Sequence, residues 1–114
     1  MHEYHLVESI VKQVIENALS NHASRVTKVN LMMGELSGLE ESSVRLYFGN
    51  ISKGTIAEGA ELSVKIEPLK LKCEKCGFIF ERKNKEFNCP QCSTLGIPIQ
   101  VSKGLYVQDI EIES

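Results

Sequence analysis

Apolar positions change period several times along the 114 residues of this chain, and each change marks an element. From the amino terminus they fall at Leu6, Val7, Ile10, Val11, Val14, Ile15, Ala18 and Leu19. That i, i+3, i+4 spacing gathers them on one stripe of an amphipathic helix, which should begin almost at the first residue. After a break at Asn21 to Ser24, Val29, Leu31 and Met33 alternate with Lys28, Asn30 and Met32, the period of a half-buried strand. Gly34 to Gly38 predicts a turn, and Val44, Tyr47, Phe48 and Ile51 a second helix ending near Gly54. Leu62, Val64 and Ile66 return to alternation before Pro68, and Ile97 to Val101 and Leu105 to Ile112 read as strands joined near Lys103-Gly104, a closing strand or hairpin.

This order implies an α+β fold, a small mixed sheet with two helices on one face, plus an inserted module whose two Cys-x-x-Cys motifs, at Cys73/Cys76 and Cys89/Cys92, mark it as a zinc ribbon. Residues 1–68 and 97–114 would form the first domain and residues 69–96 the ribbon. Two chain connections would cross the boundary, so some motion between the parts is the default expectation. Thirteen basic and fifteen acidic side chains nearly balance, which argues against a general polyanion binder. The apolar runs fall well short of the ~20 residues that span a bilayer, and no Arg-rich or apolar targeting stretch follows Met1. A cytoplasmic protein with no membrane association is expected. Its bulky second residue, His2, should leave the initiator methionine in place.

The compositional excess is in cysteine. Cys73-Glu-Lys-Cys76-Gly77 and Cys89-Pro90-Gln91-Cys92 are two Cys-x-x-Cys turns separated by twelve residues, the spacing that delivers four thiolates to one tetrahedral ion. Gly77 lets the backbone fold tightly behind the second sulfur, and Pro90 stiffens the other turn. Paired disulfides are disfavoured in a reducing compartment. An iron centre would carry more aromatic cover than Phe78, Phe80 and Phe87 supply, and a thioredoxin-like motif needs one Cys-x-x-Cys at a helix start. Structural Zn(II) held by Cys73, Cys76, Cys89 and Cys92 is the favoured reading.

A second metal chemistry sits at the start. The Met1 amine, the His2 amide and the His2 imidazole are consecutive nitrogens that close two chelate rings around one ion, a tetragonal set favouring Ni(II) or Cu(II). The Glu3 amide or His5 could supply a further donor, since His5 lies three residues beyond His2 on one side of a helix. His22 falls where the first helix should end, and an imidazolium there interacts well with the helix dipole.

Two other classes are weaker. A nucleic-acid-binding or adaptor ribbon would use Lys70, Lys72, Lys75, Arg82, Lys83 and Lys85 against Glu74, Glu81 and Glu86. Four thiolates around Zn(II) bring that surplus of three down to one, too little for counterion release, although the lysines could meet an acidic protein. An enzyme would need a nucleophile paired with a base, a phosphate loop or an open zinc site, and none is legible.

Taken together, Met1-His2-Glu3-Tyr4, the Gly34-Glu35-Leu36 turn after a strand and the late pair of Cys-x-x-Cys motifs resemble the HypA/HybF family, nickel metallochaperones of hydrogenase maturation, over the whole chain. The resemblance implies transported Ni(II) at Met1, His2 and Glu3, with Glu40 at the place of an acidic ligand found in some members, and a structural Zn(II) in the inserted module. It also implies delivery to the [NiFe] hydrogenase large subunit with a HypB-type nickel GTPase, in some organisms to a urease accessory protein, by a monomer or homodimer. Glu40 has a plainer alternative, since Ser37-x-x-Glu40 fits a capping box at a helix start.

Overall fold

The computed structural model describes residues 2–35, 37–82, 86–100 and 104–114, with the backbone alone at His2 and Gln100. Helix α1 (His2–Ser20) buries Val7, Ile10, Val11, Val14 and Ala18, most of the stripe its periodicity predicts. Leu19 is the exception at 56% exposed, because the helix has run past the edge of the core by its last turn. The helix closes by a paired C-terminal motif. Ala23 N–H donates to Ala18 O and His22 N–H to Leu19 O, which turns the chain by placing His22 at φ 60.

Strand β1 (Arg25–Gly34) follows, and Val26, Val29, Leu31 and Met33 are buried as the alternation requires. Helix α2 (Glu41–Ser52) then crosses back to β2 (Glu61–Glu67), which pairs parallel with β1. The last strand, here β6 (Leu105–Glu113), pairs antiparallel on the other side of β1. The resulting mixed sheet has the order β2-β1-β6. Val44 and Phe48 of α2 join the α1 stripe, Val29, Leu31, Met33 and Leu105 in one buried cluster. Each such large side chain contributes about 1.5–3 kcal/mol by leaving water.

Between β2 and β6 the chain builds a second, all-antiparallel sheet from β3 (Lys70–Cys73), β4 (Ile79–Glu81) and β5 (Gly96–Gln100), in the order β4-β3-β5. Of the two closings expected, the single returning strand is the one found, and among the described residues no closing hairpin forms. The strand over Ile97 to Gln100 pairs with β3, and β6 pairs with β1; Val101 to Lys103, between them, lie outside the described residues. A five-residue strand containing Pro98 takes whatever partner the longer-range closure presents, and here the cysteine turns close it onto β3. Leu69, Leu71, Cys73 and Cys89 are buried here, a core too small to order a module without a crosslink or metal. The whole is elongated, 53 × 28 × 17 Å. No helix among the described residues is long and apolar enough to cross a membrane.

Candidate metal centre

Two turns of the same design present the cysteines. In the first, Gly77 N–H donates to Cys73 O (2.9 Å) and Cys73 N–H to Phe78 O (2.9 Å). In the second, Ser93 N–H donates to Cys89 O (2.8 Å) and Cys89 N–H to Thr94 O (2.8 Å). Backbone N–H groups also reach the sulfurs: Cys76 N–H points to Cys73 Sγ at 3.5 Å and Gln91 N–H to Cys89 Sγ at 3.4 Å. Such donors stabilise thiolate over thiol.

All four Sγ atoms lie within 4.8 Å of one another. Cys73–Cys92 is 3.1 Å, Cys76–Cys89 3.7 Å and Cys76–Cys92 3.8 Å. A tetrahedron with metal–sulfur bonds near 2.3 Å has edges of about 3.8 Å, so the cluster is already close to the size such an ion requires. These separations are too long for a disulfide, and the cysteines are free. The thiols do not titrate alike. Thr94, through its hydroxyl, together with Cys73, pulls Cys92 down to about 6. Cys76 is pushed up to about 12: the Phe78 backbone bond lowers it, but burial and the thiols of Cys73, Cys89 and Cys92 outweigh that bond. A metal entering this set displaces protons, which makes binding pH-dependent. Four protein sulfurs leave no open position, the mark of a structural rather than a catalytic site.

The terminal donors are a different matter. Met1 and the His2 side chain lie outside the described residues, so the Met1-His2-Glu3 chelate is a matter of sequence chemistry. The backbone at His2 already opens α1, and Glu3 sits half-buried in the first turn. Tyr4 packs edge-on against Tyr47 of α2, with ring centroids 5.6 Å apart, and against His5 at 5.8 Å. His5 is exposed, its Nδ1 3.8 Å from Glu8 of the next turn. Glu40 does not complete a capping box. It is itself the residue preceding α2, extended at φ -109, and its side chain makes no cap bond. The Ser37 hydroxyl instead accepts from Leu39 N–H at 3.2 Å. Gly38, at φ 78, breaks the helical path between Ser37 and Glu40.

Several residues with structural consequence escaped the sequence reading. Glu35, noted only as part of a turn, accepts from Leu69 N–H at 2.8 Å and faces Arg82 Nε at 3.3 Å. Arg82 is thereby withdrawn from the basic patch, and its guanidinium covers the Phe87 ring at 5.2 Å. Lys83 and Lys85 lie outside the described residues. The groove beside Cys89, about 750 Å³, is walled by Phe78, Phe80, Glu81 and Glu86, a lining that repels phosphate. The signal that could have found the Glu35 contact is weak: an acidic residue at a turn and an arginine past a strand end.

Comparison with known proteins bears on the whole chain. A family model described as hydrogenase/urease nickel incorporation, metallochaperone, HypA matches residues 1–112. A hydrogenase maturation factor HypA from Caldanaerobacter subterraneus subsp. tengcongensis is 41% identical over 114 residues, covering 99% of this chain and 100% of the relative. One from Aquifex aeolicus is 36% identical over 113 residues, covering 99% and 98%. In fold, the chain resembles the solution structure of the Ni metallochaperone HypA from Helicobacter pylori at a TM-score of 0.67 and 21% identity, covering 98% and 97%. A second HypA solution structure gives 0.71 and 24%, covering 98% and 96%.

Proposed function

Because this chain belongs to the HypA family of hydrogenase/urease nickel-incorporation metallochaperones, we propose that it takes up Ni(II) at its amino terminus and hands it on during [NiFe] hydrogenase maturation. The observation that supports this reading is that α1 opens at the His2 backbone, with Glu3 in its first turn, immediately after Met1 in the sequence. The first amide N–H groups of a helix have no intrahelical acceptor. The His2 and Glu3 amides can therefore give up their protons to a metal without a helical bond being broken. The Met1 amine, His2 amide and His2 imidazole make three donors, and the Glu3 amide, Glu40 or His5 is a candidate fourth.

The four cysteines fit a resident Zn(II), a closed thiolate tetrahedron with no exchangeable position. That ion would supply crosslinking and charge balance to a module with few apolar residues. Cargo and structural metal are thus separated by chemistry: nitrogen donors at a free end for exchange, sulfur donors in closed turns for permanence. On this reading residues 1–68, with the returning strand, carry nickel, and the inserted ribbon carries zinc. The chain acts as a cytoplasmic carrier and catalyses no reaction. A HypB-type GTPase, the hydrogenase large subunit and, in some organisms, the urease machinery are its partners.

Release is linked to protons. The α-amine and imidazole titrate ordinarily near about 7.7–8.0 and 6.5, and both must be unprotonated to bind nickel. Affinity should fall steadily between about pH 8 and pH 6. The test is calorimetric nickel titration of zinc-loaded protein with its native terminus, beside a Gly-Ser extension ahead of Met1 and beside His2→Ala. One-to-one binding lost in both variants supports the terminal chelate. Binding that survives both moves nickel elsewhere and leaves a ribbon adaptor as the better account.

A further inference from the structure

The two sheets meet over very little surface: among the described residues no helix or strand of one packs broadly against an element of the other. Within the first sheet, Gly34 N–H donates to Gly104 O at 2.6 Å and Glu35 N–H to Glu67 O at 3.0 Å, which fixes the end of β1 between its two neighbours. The Glu35 carboxylate then reaches across the boundary, with Oε2 on Leu69 N–H at 2.8 Å and Oε1 on Arg82 Nε at 3.3 Å.

We propose that Glu35 is a positioning residue, whose carboxylate couples metal occupancy of the cysteine centre to the orientation of the ribbon on the helix-bearing lobe. The physical route is short. Metal at the second turn fixes Cys89, and the Asn88–Leu95 bridge and the Gly96 N–H bond to Phe87 O (2.7 Å) carry that order to Phe87. The Phe87 ring supports the Arg82 guanidinium, and Arg82 N–H donates to Leu69 O at 3.1 Å. Arg82 and Leu69 are therefore both presented by the ribbon, and one carboxylate from β1's end receives both. The side chains of Arg82 and Glu35 are only 14% and 23% exposed, so solvent screens the pair less than it does the surface ion pairs. An emptied centre would loosen Phe87, then Arg82, then the hold on Glu35. Glu35 is also where the chain leaves β1 for the segment that leads to Glu40 and α2. Its importance for nickel delivery rests on the metallochaperone reading above, but the coupling itself does not.

The experiment uses the full metal-loaded chain and two readouts that involve no nickel. One is backbone ¹⁵N relaxation, which compares the tumbling of amides in β1 and β6 with that of amides in β3 and β5. The other is the rate at which a chromophoric chelator draws metal from the cysteines. Glu35→Gln cannot accept from Leu69 and Arg82 together, and Arg82→Met keeps the apolar stem while removing the charge. Lys28→Gln, which breaks the exposed pair with Glu61, is the matched control. The wild type and Lys28→Gln should show one tumbling time for both sheets. Glu35→Gln and Arg82→Met should show separate, shorter times and metal release about five-fold faster or more, the reciprocal half of a coupling. The double variant should do no worse than the worse single one. Variants that tumble and release metal like Lys28→Gln would overturn the proposal. A failed nickel titration would remove the proposed function and leave this result untouched.

Discussion

Gly77 and Ser93 occupy the same place in two turns with the same hydrogen-bond pattern, at φ 76 and φ 61, and only one of them is a residue suited to that conformation. An L side chain in the left-handed region costs roughly 1–2 kcal/mol, and glycine recovers part of that at the expense of greater freedom when unfolded. Ser93→Gly should therefore stabilise the metal-loaded ribbon by about 0.5–1 kcal/mol and slow metal release to a competing chelator. Gly77→Ala should do the reverse, even though a Cβ there meets nothing within 4 Å. Release rates that move in the same direction in both variants would show that the strain lies elsewhere.

A similar strain closes the first helix. His22 stands at φ 60 in the position where glycine usually ends a helix, and Ala23 beyond it is buried beside Ala18 in the core cluster. Replacing His22 with glycine should raise stability by about 0.5–1 kcal/mol, a few degrees in the midpoint of thermal unfolding. His22→Val should lower it by more, because a β-branched residue is a poorer fit to this region than histidine. Circular dichroism melts of the metal-loaded protein decide the matter.

What could be read in advance divides along physical lines. Helix α1, strand β1 and helix α2 declared themselves because their burial follows a local period, so Val29, Leu31 and Met33 are inside as expected. The cysteine centre was equally legible, since its ligand spacing is a short-range property. The partner of β5 was not, because pairing with β3 rather than β6 depends on a closure through the cysteine turns. Nor was the Glu35–Arg82 contact, which spans 47 positions and follows no period. The capping-box reading of Glu40 failed for a reason already in the sequence: Gly38 lies inside the proposed box and takes a left-handed turn. The proposed terminal donors rest on sequence chemistry alone, since Met1 and the His2 side chain lie outside the described residues.

Tyr106 gives the fold an alkaline edge. Its hydroxyl donates to Glu67 Oε2 at 2.6 Å, and this bond, followed by burial and the carboxylate's charge, raises its pKa above the ordinary 10.0. The folded phenol thus keeps its proton where the unfolded one begins to lose it. The unfolded state then binds fewer protons, so this contribution is fully present below about pH 10 and is lost as pH rises through the folded value. The difference in phenolate absorbance between wild type and Tyr106→Phe should have its midpoint above pH 10.0. Urea unfolding of Tyr106→Phe should show a shallower alkaline decline than wild type, and identical slopes would exclude the Glu67 bond as its source.

Gly96 is required by close approach rather than by its backbone angle. A Cβ there would sit 2.6 Å from Phe80 Cζ and 3.1 Å from Leu71 Cβ, so the Phe80 ring occupies the space a side chain would need. Phe80 is also stacked on Phe78, with centroids 6.3 Å apart and planes within 10°. Leu71, beneath it, is fully buried. Gly96→Ala must tilt the ring away from Leu71, and overpacking of this kind costs about 1–3 kcal/mol. The cost should appear in the unfolding of the metal-loaded protein, with the ribbon amides losing hydrogen-exchange protection before those of α1. Because the clash is with the far edge of a side chain, Phe80→Leu in the Gly96→Ala background should recover part of the loss, although Phe80→Leu alone destabilises. If the two substitutions simply add, the ring is not what excludes a side chain at Gly96, and the Leu71 contact becomes the one to remove next.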